Sequence, residues 1–127
     1  MRNKAISRIL KATLVITFLL VGMKMNAQTN DYSIRQAKSY QQEAEYYSKQ
    51  AKSYDSEVEY YTREAERHFN DADYYMRQKR YDQAKSYFSR AYNALDKANS
   101  YSAKAKYARE KAMDYSKRAE RALQNAK

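Results

Sequence analysis

The chain has 127 residues, with 25 Lys and Arg against 15 Asp and Glu for a formal net charge of +10, and it contains 15 tyrosines, one glycine, no proline and no cysteine. Lack of cysteine excludes disulfide support, a lipid anchor on an N-terminal cysteine and a thiol nucleophile. Lack of glycine and proline punctuation excludes a phosphate-cradling loop and the succession of turns that a sheet requires.

Residues 1–27 read as an export signal. Arg2, Lys4, Arg8 and Lys11 form a basic start, 12–23 is an apolar run, and Ala27 is a small residue suited to cleavage. About twelve apolar residues are too few to span a bilayer, so no stable membrane span is expected once the signal is removed. The basic start, short apolar core and Ala-Gln junction resemble signals of Gram-negative bacteria, which implies a protein of the periplasm or cell surface. Five basic residues and no acid lie in this leader, so residues 28–127 carry a net charge of +5.

The rest of the chain repeats a 14-residue unit six times, starting at Ala37, Ala51, Ala65, Ala84, Ala98 and Ala112, with residues 79–83 interposed between the third and fourth. Fourteen residues are two heptads, so each repeated residue stays on one stripe of a helix. The alanine-, lysine- and glutamate-rich composition favours helix throughout. An all-α fold follows: a helical hairpin of two long antiparallel helices in a heptad-repeat coiled coil, with a first arm at about 31–78, a turn at about 78–82 and a second arm at about 82–126.

Naming the repeating alanines position a puts tyrosine at most d positions of the first arm (Tyr40, Tyr47, Tyr54, Tyr61 and Tyr75, with His68 in one slot). The second arm alternates Tyr87, Tyr101 and Tyr115 with Ala94, Ala108 and Ala122. Antiparallel pairing then sets Tyr61 against Ala98, Tyr47 against Ala112 and Val58 against Tyr101, with no layer of tyrosine on tyrosine. On one flank the g positions pair Glu43 with Arg118, Glu57 with Lys104, Glu64 with Lys97 and Asp71 with Arg90, all opposite in sign. On the other flank Phe69 faces Phe88. Exposed ion pairs contribute at most about 1 kcal/mol each, so these choose orientation more than they stabilise. At about 1.5 Å per residue the arms predict a rod of roughly 70 Å.

This alternation of small and large seam residues resembles the antiparallel alanine-rich coiled coil called an Alacoil, and the resemblance implies close helix approach. Around the turn, Lys79, Arg80, Tyr81, Asp82, Gln83 and Ala84, followed by Tyr87, Phe88, Arg90 and Ala91, resemble a single tetratricopeptide helix-turn-helix over residues 79–95. Lys79 replaces that family's usual glycine, and the 34-residue period is absent. The resemblance implies an adaptor role.

Two surfaces stand out as candidate sites. Tyr32, Tyr46, Tyr60 and Tyr74 occupy position c at steps of 14, with Tyr107 at the same position on the second arm, and an exposed aromatic row is a candidate partner surface. Residues 28–78 carry a net charge of −3 and 79–127 a net charge of +8. Lys85, Lys106, Arg109, Lys117 and Arg121 are therefore a candidate face for an anionic component of the envelope. An export signal argues against nucleic acid as that anion. His68 lies one turn from Glu64 and Asp71, but one imidazole and two carboxylates make a poor metal cage. No catalytic, cofactor or metal residues are expected. The functional expectation is an exported, non-enzymatic structural or protein-interaction element of the cell envelope, with self-association or a protein partner. A holdase-like or anionic-ligand-binding protein is the alternative.

Overall fold

A computed structural model describes residues 31–126; the export signal expected at 1–27 lies outside them. Among the described residues the regular structure is helical, in two elements: α1, Asp31–Arg77, of 47 residues, and α2, Tyr81–Asn125, of 45 residues. Neither contains glycine or proline, so nothing interrupts either run of i→i−4 hydrogen bonds.

The break between them is made by backbone geometry. Lys79 takes φ 59°, the left-handed conformation that ends many helices. Its N–H donates to the Met76 carbonyl at 3.0 Å, and the Arg80 N–H donates to the Tyr75 carbonyl at 2.9 Å. These are the two bonds of a Schellman cap, which satisfies carbonyls that the end of α1 leaves unpaired. The Arg80 guanidinium lies over the Tyr75 ring, 5.3 Å from its centroid, supplying the side-chain contact that accompanies such caps. Asp82 then enters the first turn of α2, where a negative charge suits the exposed N–H groups.

Two compact units form from these helices: Ser53–Lys104, which contains the turn, and a second to which 31–52 and 105–126 belong. Each has a core of alanine. In Ser53–Lys104 the buried apolar residues are Val58, Ala65, Ala72, Ala84, Ala91, Ala94 and Ala98. In the other unit they are Ala37, Ala44, Ala51, Ala105, Ala108, Ala112, Ala119, Ala122 and Ala126. Among the described residues no large side chain is fully buried, so the tyrosines supply apolar area from half-covered positions flanking the alanines.

Ring contacts fix the chain directions inside the unit that contains the turn. In Ser53–Lys104, Tyr54 and Tyr61 touch Tyr101 while His68 and Tyr75 touch Tyr87. Numbers rising along α1 meet numbers falling along α2, as an antiparallel hairpin requires.

One expectation fails in an informative way. Tyrosine does meet tyrosine: Tyr61 stacks on Tyr101 with centroids 5.7 Å apart and planes at 8°, and Tyr47 stacks on Tyr115 at 5.8 Å, also at 8°. A phenol ring reaches past the alanine opposite it into the next layer, so the α2 seam tyrosines Tyr87, Tyr101 and Tyr115 are each held between two α1 rings rather than against a methyl group alone.

Candidate functional site: tyrosine rungs and their cations

The ring contacts repeat as a unit. On α1, a c-position tyrosine stands edge-on to the seam tyrosine after it: Tyr46 to Tyr47 at 5.3 Å, Tyr60 to Tyr61 at 5.1 Å and Tyr74 to Tyr75 at 5.2 Å, with interplanar angles of 76°, 79° and 76°. The seam tyrosine then stacks on an α2 tyrosine. Across that second ring lies one more α1 aromatic, tilted: Tyr40 over Tyr115 at 6.2 Å, Tyr54 over Tyr101 at 6.1 Å and His68 over Tyr87 at 6.1 Å. Offset and edge-on arrangements are those that ring quadrupoles favour, worth about 0.5–1.5 kcal/mol each beyond buried area.

Each rung carries a cation three residues after its α2 tyrosine. The Arg90 guanidinium lies 4.9 Å from the Tyr87 centroid, Lys104 Nζ 5.1 Å from Tyr101, and the Arg118 guanidinium 5.1 Å from Tyr115. Lys97 Nζ adds a contact from α2 to α1, 5.3 Å from Tyr61, and Lys111 covers Tyr107 at 5.6 Å. Apart from Lys111, which falls opposite Gln50, these are the g-position cations expected to pair with acids on α1. They lie on rings instead, and Glu64 binds within its own helix, to Arg67 at 2.6 Å and to His68 Nε2 at 3.6 Å. A cation on a ring gains roughly what an exposed ion pair gains. Its aliphatic stem also covers apolar ring surface, and that addition decides between the two arrangements.

The c-row tyrosines face solvent: Tyr32 is 66 % exposed, Tyr46 55 %, Tyr60 53 %, Tyr74 56 % and Tyr107 59 %. Gln50 Nε2 donates to the Tyr46 hydroxyl at 2.8 Å. The cations of the candidate anionic-ligand face do not share one stripe. Lys85 and Lys106 stand at b, Arg109 at e, Lys117 at f and Arg121 at c, and all but the half-buried Arg109 are exposed. The regularly spaced basic residues of α2 are the g positions Arg90, Lys97, Lys104, Lys111 and Arg118; three of them, Arg90, Lys104 and Arg118, belong to a Tyr-x-x-Lys/Arg signal at steps of 14 that opposite-charge pairing alone does not pick out. Tyr92 was also missed; it is 59 % exposed yet sits edge-on to Phe69 at 5.6 Å, beside the expected Phe69–Phe88 contact at 6.2 Å.

Burial foremost, then Tyr115, Tyr107 and Glu43 nearby, pushes the Tyr47 hydroxyl above its ordinary pKa, with Lys111 opposing. Burial, then Tyr101, Glu57 and Tyr60, does the same to Tyr61. At neutral pH these two hydroxyls therefore keep their protons. His68, in its tyrosine slot, leaves Nδ1 buried without a hydrogen-bond partner. Among the described residues no group of three or more metal-binding side chains gathers, and no helix is long and apolar enough to cross a membrane. Two open hollows are lined by Lys79–Gln83 and by Tyr32, Arg35, Gln36, Ser39 and Tyr40.

No protein-family model matches this chain, and no curated protein or solved structure matches it either.

Proposed function

We propose that the chain is an exported, non-enzymatic antiparallel coiled coil that serves the cell envelope as a protein-interaction element, presenting its c-row tyrosines to a partner. One observation carries this: each rung braces an exposed tyrosine edge-on against a stacked neighbour, three times over at 14-residue steps. An aromatic side chain held in place before binding loses little rotamer freedom on contact, and rigid tyrosines are effective contact residues for that reason. The leader composition supports export, and the alanine seam with heptad spacing supports the coiled coil.

The test is recovery of envelope partners on the C-terminally tagged protein and on a Tyr46→Ser, Tyr60→Ser, Tyr74→Ser variant, with the intact mass of each. The proposal expects a mature N terminus near Gln28 and a partner that the wild type recovers and the variant loses. A cytoplasmic protein of full mass, or equal recovery by both, refutes it. The same row and the ring-backed cations support a second reading, a holdase for unfolded envelope proteins. Suppression of aggregation of an unfolded outer-membrane protein, lost in the triple variant, favours that reading; no suppression at equimolar amounts removes it.

A further inference from the structure

Within Ser53–Lys104 the two helices carry opposite charge. Residues 53–78 hold seven acids and three basic side chains; residues 79–104 hold six basic side chains and two acids. The excesses, −4 and +4, cancel. They are also sorted on the face that bears the tyrosine rungs. The g row of α1 is Glu57, Glu64 and Asp71, half-buried, flanked by the exposed c row of Tyr60, Arg67 and Tyr74. The g row of α2 is Arg90, Lys97 and Lys104, exposed above the rings of Tyr87, Tyr61 and Tyr101. Among the described residues no ion pair joins these two rows; Glu64 is engaged by Arg67 and His68 of its own helix.

We propose that this face binds a second copy of the chain, about a two-fold axis parallel to the helices, so that α1 of each copy lies over α2 of the other. Charge selects both the occupant and the axis. A polyanion laid along the basic row would meet the acids of Glu57 and Asp71 beside it, and a basic polymer would meet the reverse. A copy of the same surface satisfies both rows at once, which is the self-complementarity that an isologous interface needs. A two-fold axis perpendicular to the helices would instead place acid on acid, so it is excluded. In the permitted arrangement Glu57 of one copy stands over Lys104 of the other and Asp71 over Arg90, while Tyr60 and Tyr74 cover the neighbouring stripe. The contacts join two hairpins into a four-helix bundle. This inference rests on the proposed use of the tyrosine face and names its partner; a monomer that still recovers an envelope partner would defeat the inference alone.

Sedimentation velocity on the tagged protein as it accumulates in its host cells, with helicity checked by circular dichroism, decides the matter. At about 50 µM, where a low-micromolar Kd fills the complex, the wild type is expected as a dimer. Its Kd should weaken about tenfold or more between roughly 0.15 M and 1 M salt, as screening of charge rows demands. Arg90→Glu with Lys104→Glu, and separately Glu57→Lys with Asp71→Lys, should each sediment as monomers of unchanged helicity. An equimolar mixture of these two variants should recover the dimer, because every reversed charge of one then stands opposite a reversed charge of the other while Glu64 and Lys97 keep their native pairing. The variant Tyr60→Ser with Tyr74→Ser leaves the seam intact and should also weaken the dimer, which keeps the test decisive if a charge variant fails to fold. A wild type that stays monomeric, charge variants that dimerise as the wild type does, or folded charge variants whose mixture stays monomeric would overturn the proposal. So would gain of a sulfated-polysaccharide complex by a protein that never self-associates.

Discussion

Lys79 holds a left-handed backbone conformation that costs a residue with a Cβ about 1–2 kcal/mol and glycine almost nothing. The lysine side chain is exposed, so Lys79→Gly removes strain and little packing. Allowing for the extra freedom glycine gives the unfolded chain, the variant is expected to gain roughly 0.5–1 kcal/mol, read as a higher urea midpoint at unchanged slope. His68 presents the complementary case. Its buried Nδ1 lacks a partner, and such a group costs about 1–3 kcal/mol. His68→Tyr would restore the ring that the repeat places at this slot, tilted over Tyr87 as Tyr54 is over Tyr101. A gain of about 1 kcal/mol or more is expected in the same measurement.

The hydroxyls of Tyr47 and Tyr61 give the fold a defined alkaline limit. Both are raised above the ordinary value of 10.0, so the folded state binds these protons more tightly than the unfolded chain. The stability they contribute is complete below the unfolded value and is lost as pH climbs through the raised folded values. Absorbance at the tyrosinate band should show these two rings titrating above the ordinary phenol value. Tyr47→Phe with Tyr61→Phe should hold the helical signal to higher pH than the wild type does.

Along the helices, the repeat of 14 made the alanine core legible, because a residue returning every two heptads can only mark one stripe. The phase break made the turn legible. What escaped was the contact order of the rings. Pairing each tyrosine with the alanine opposite treats a side chain as if it stayed in its own layer, whereas Tyr101 reaches both Tyr54 and Tyr61. The cations escaped for a related reason. Opposite signs across the g rows point to ion pairs, but Lys104 has a ring three residues away on its own helix, and its Nζ lies 5.1 Å from that centroid. The c row was legible in sequence spacing, and its bracing by Tyr47, Tyr61 and Tyr75 was not, since an edge-on contact leaves no periodic signal beyond the doubled tyrosine. A consequence follows for truncation. Tyr101→Ala removes two ring contacts and the support of Lys104, and is expected to cost about 2–4 kcal/mol, whereas Tyr107→Ala, at an exposed c position, should cost under about 1 kcal/mol. Chemical denaturation of both at one protein concentration compares them directly.

For the molecule as a whole, half of the +10 excess of the full sequence lies in residues 1–27, and the proposed removal of that segment would leave +5. The remaining charge is sorted by helix, acidic toward the first and basic toward the second, and this sorting, more than its sum, determines what can approach the tyrosine face. Alanine provides the close approach of the helices, tyrosine the apolar area, and the cations the cover over exposed rings. That division of labour stands or falls with one contact set, the seating of the α2 seam tyrosines Tyr87, Tyr101 and Tyr115 between two α1 rings each. It is tested most directly by nuclear Overhauser effects on tyrosine-labelled protein, with resonances assigned by single Tyr→Phe substitutions. Cross-peaks from Tyr101 to both Tyr54 and Tyr61, retained when labelled protein is diluted into unlabelled, are the predicted result. Cross-peaks from Tyr101 to neither ring, or to these rings only across molecules, would contradict it.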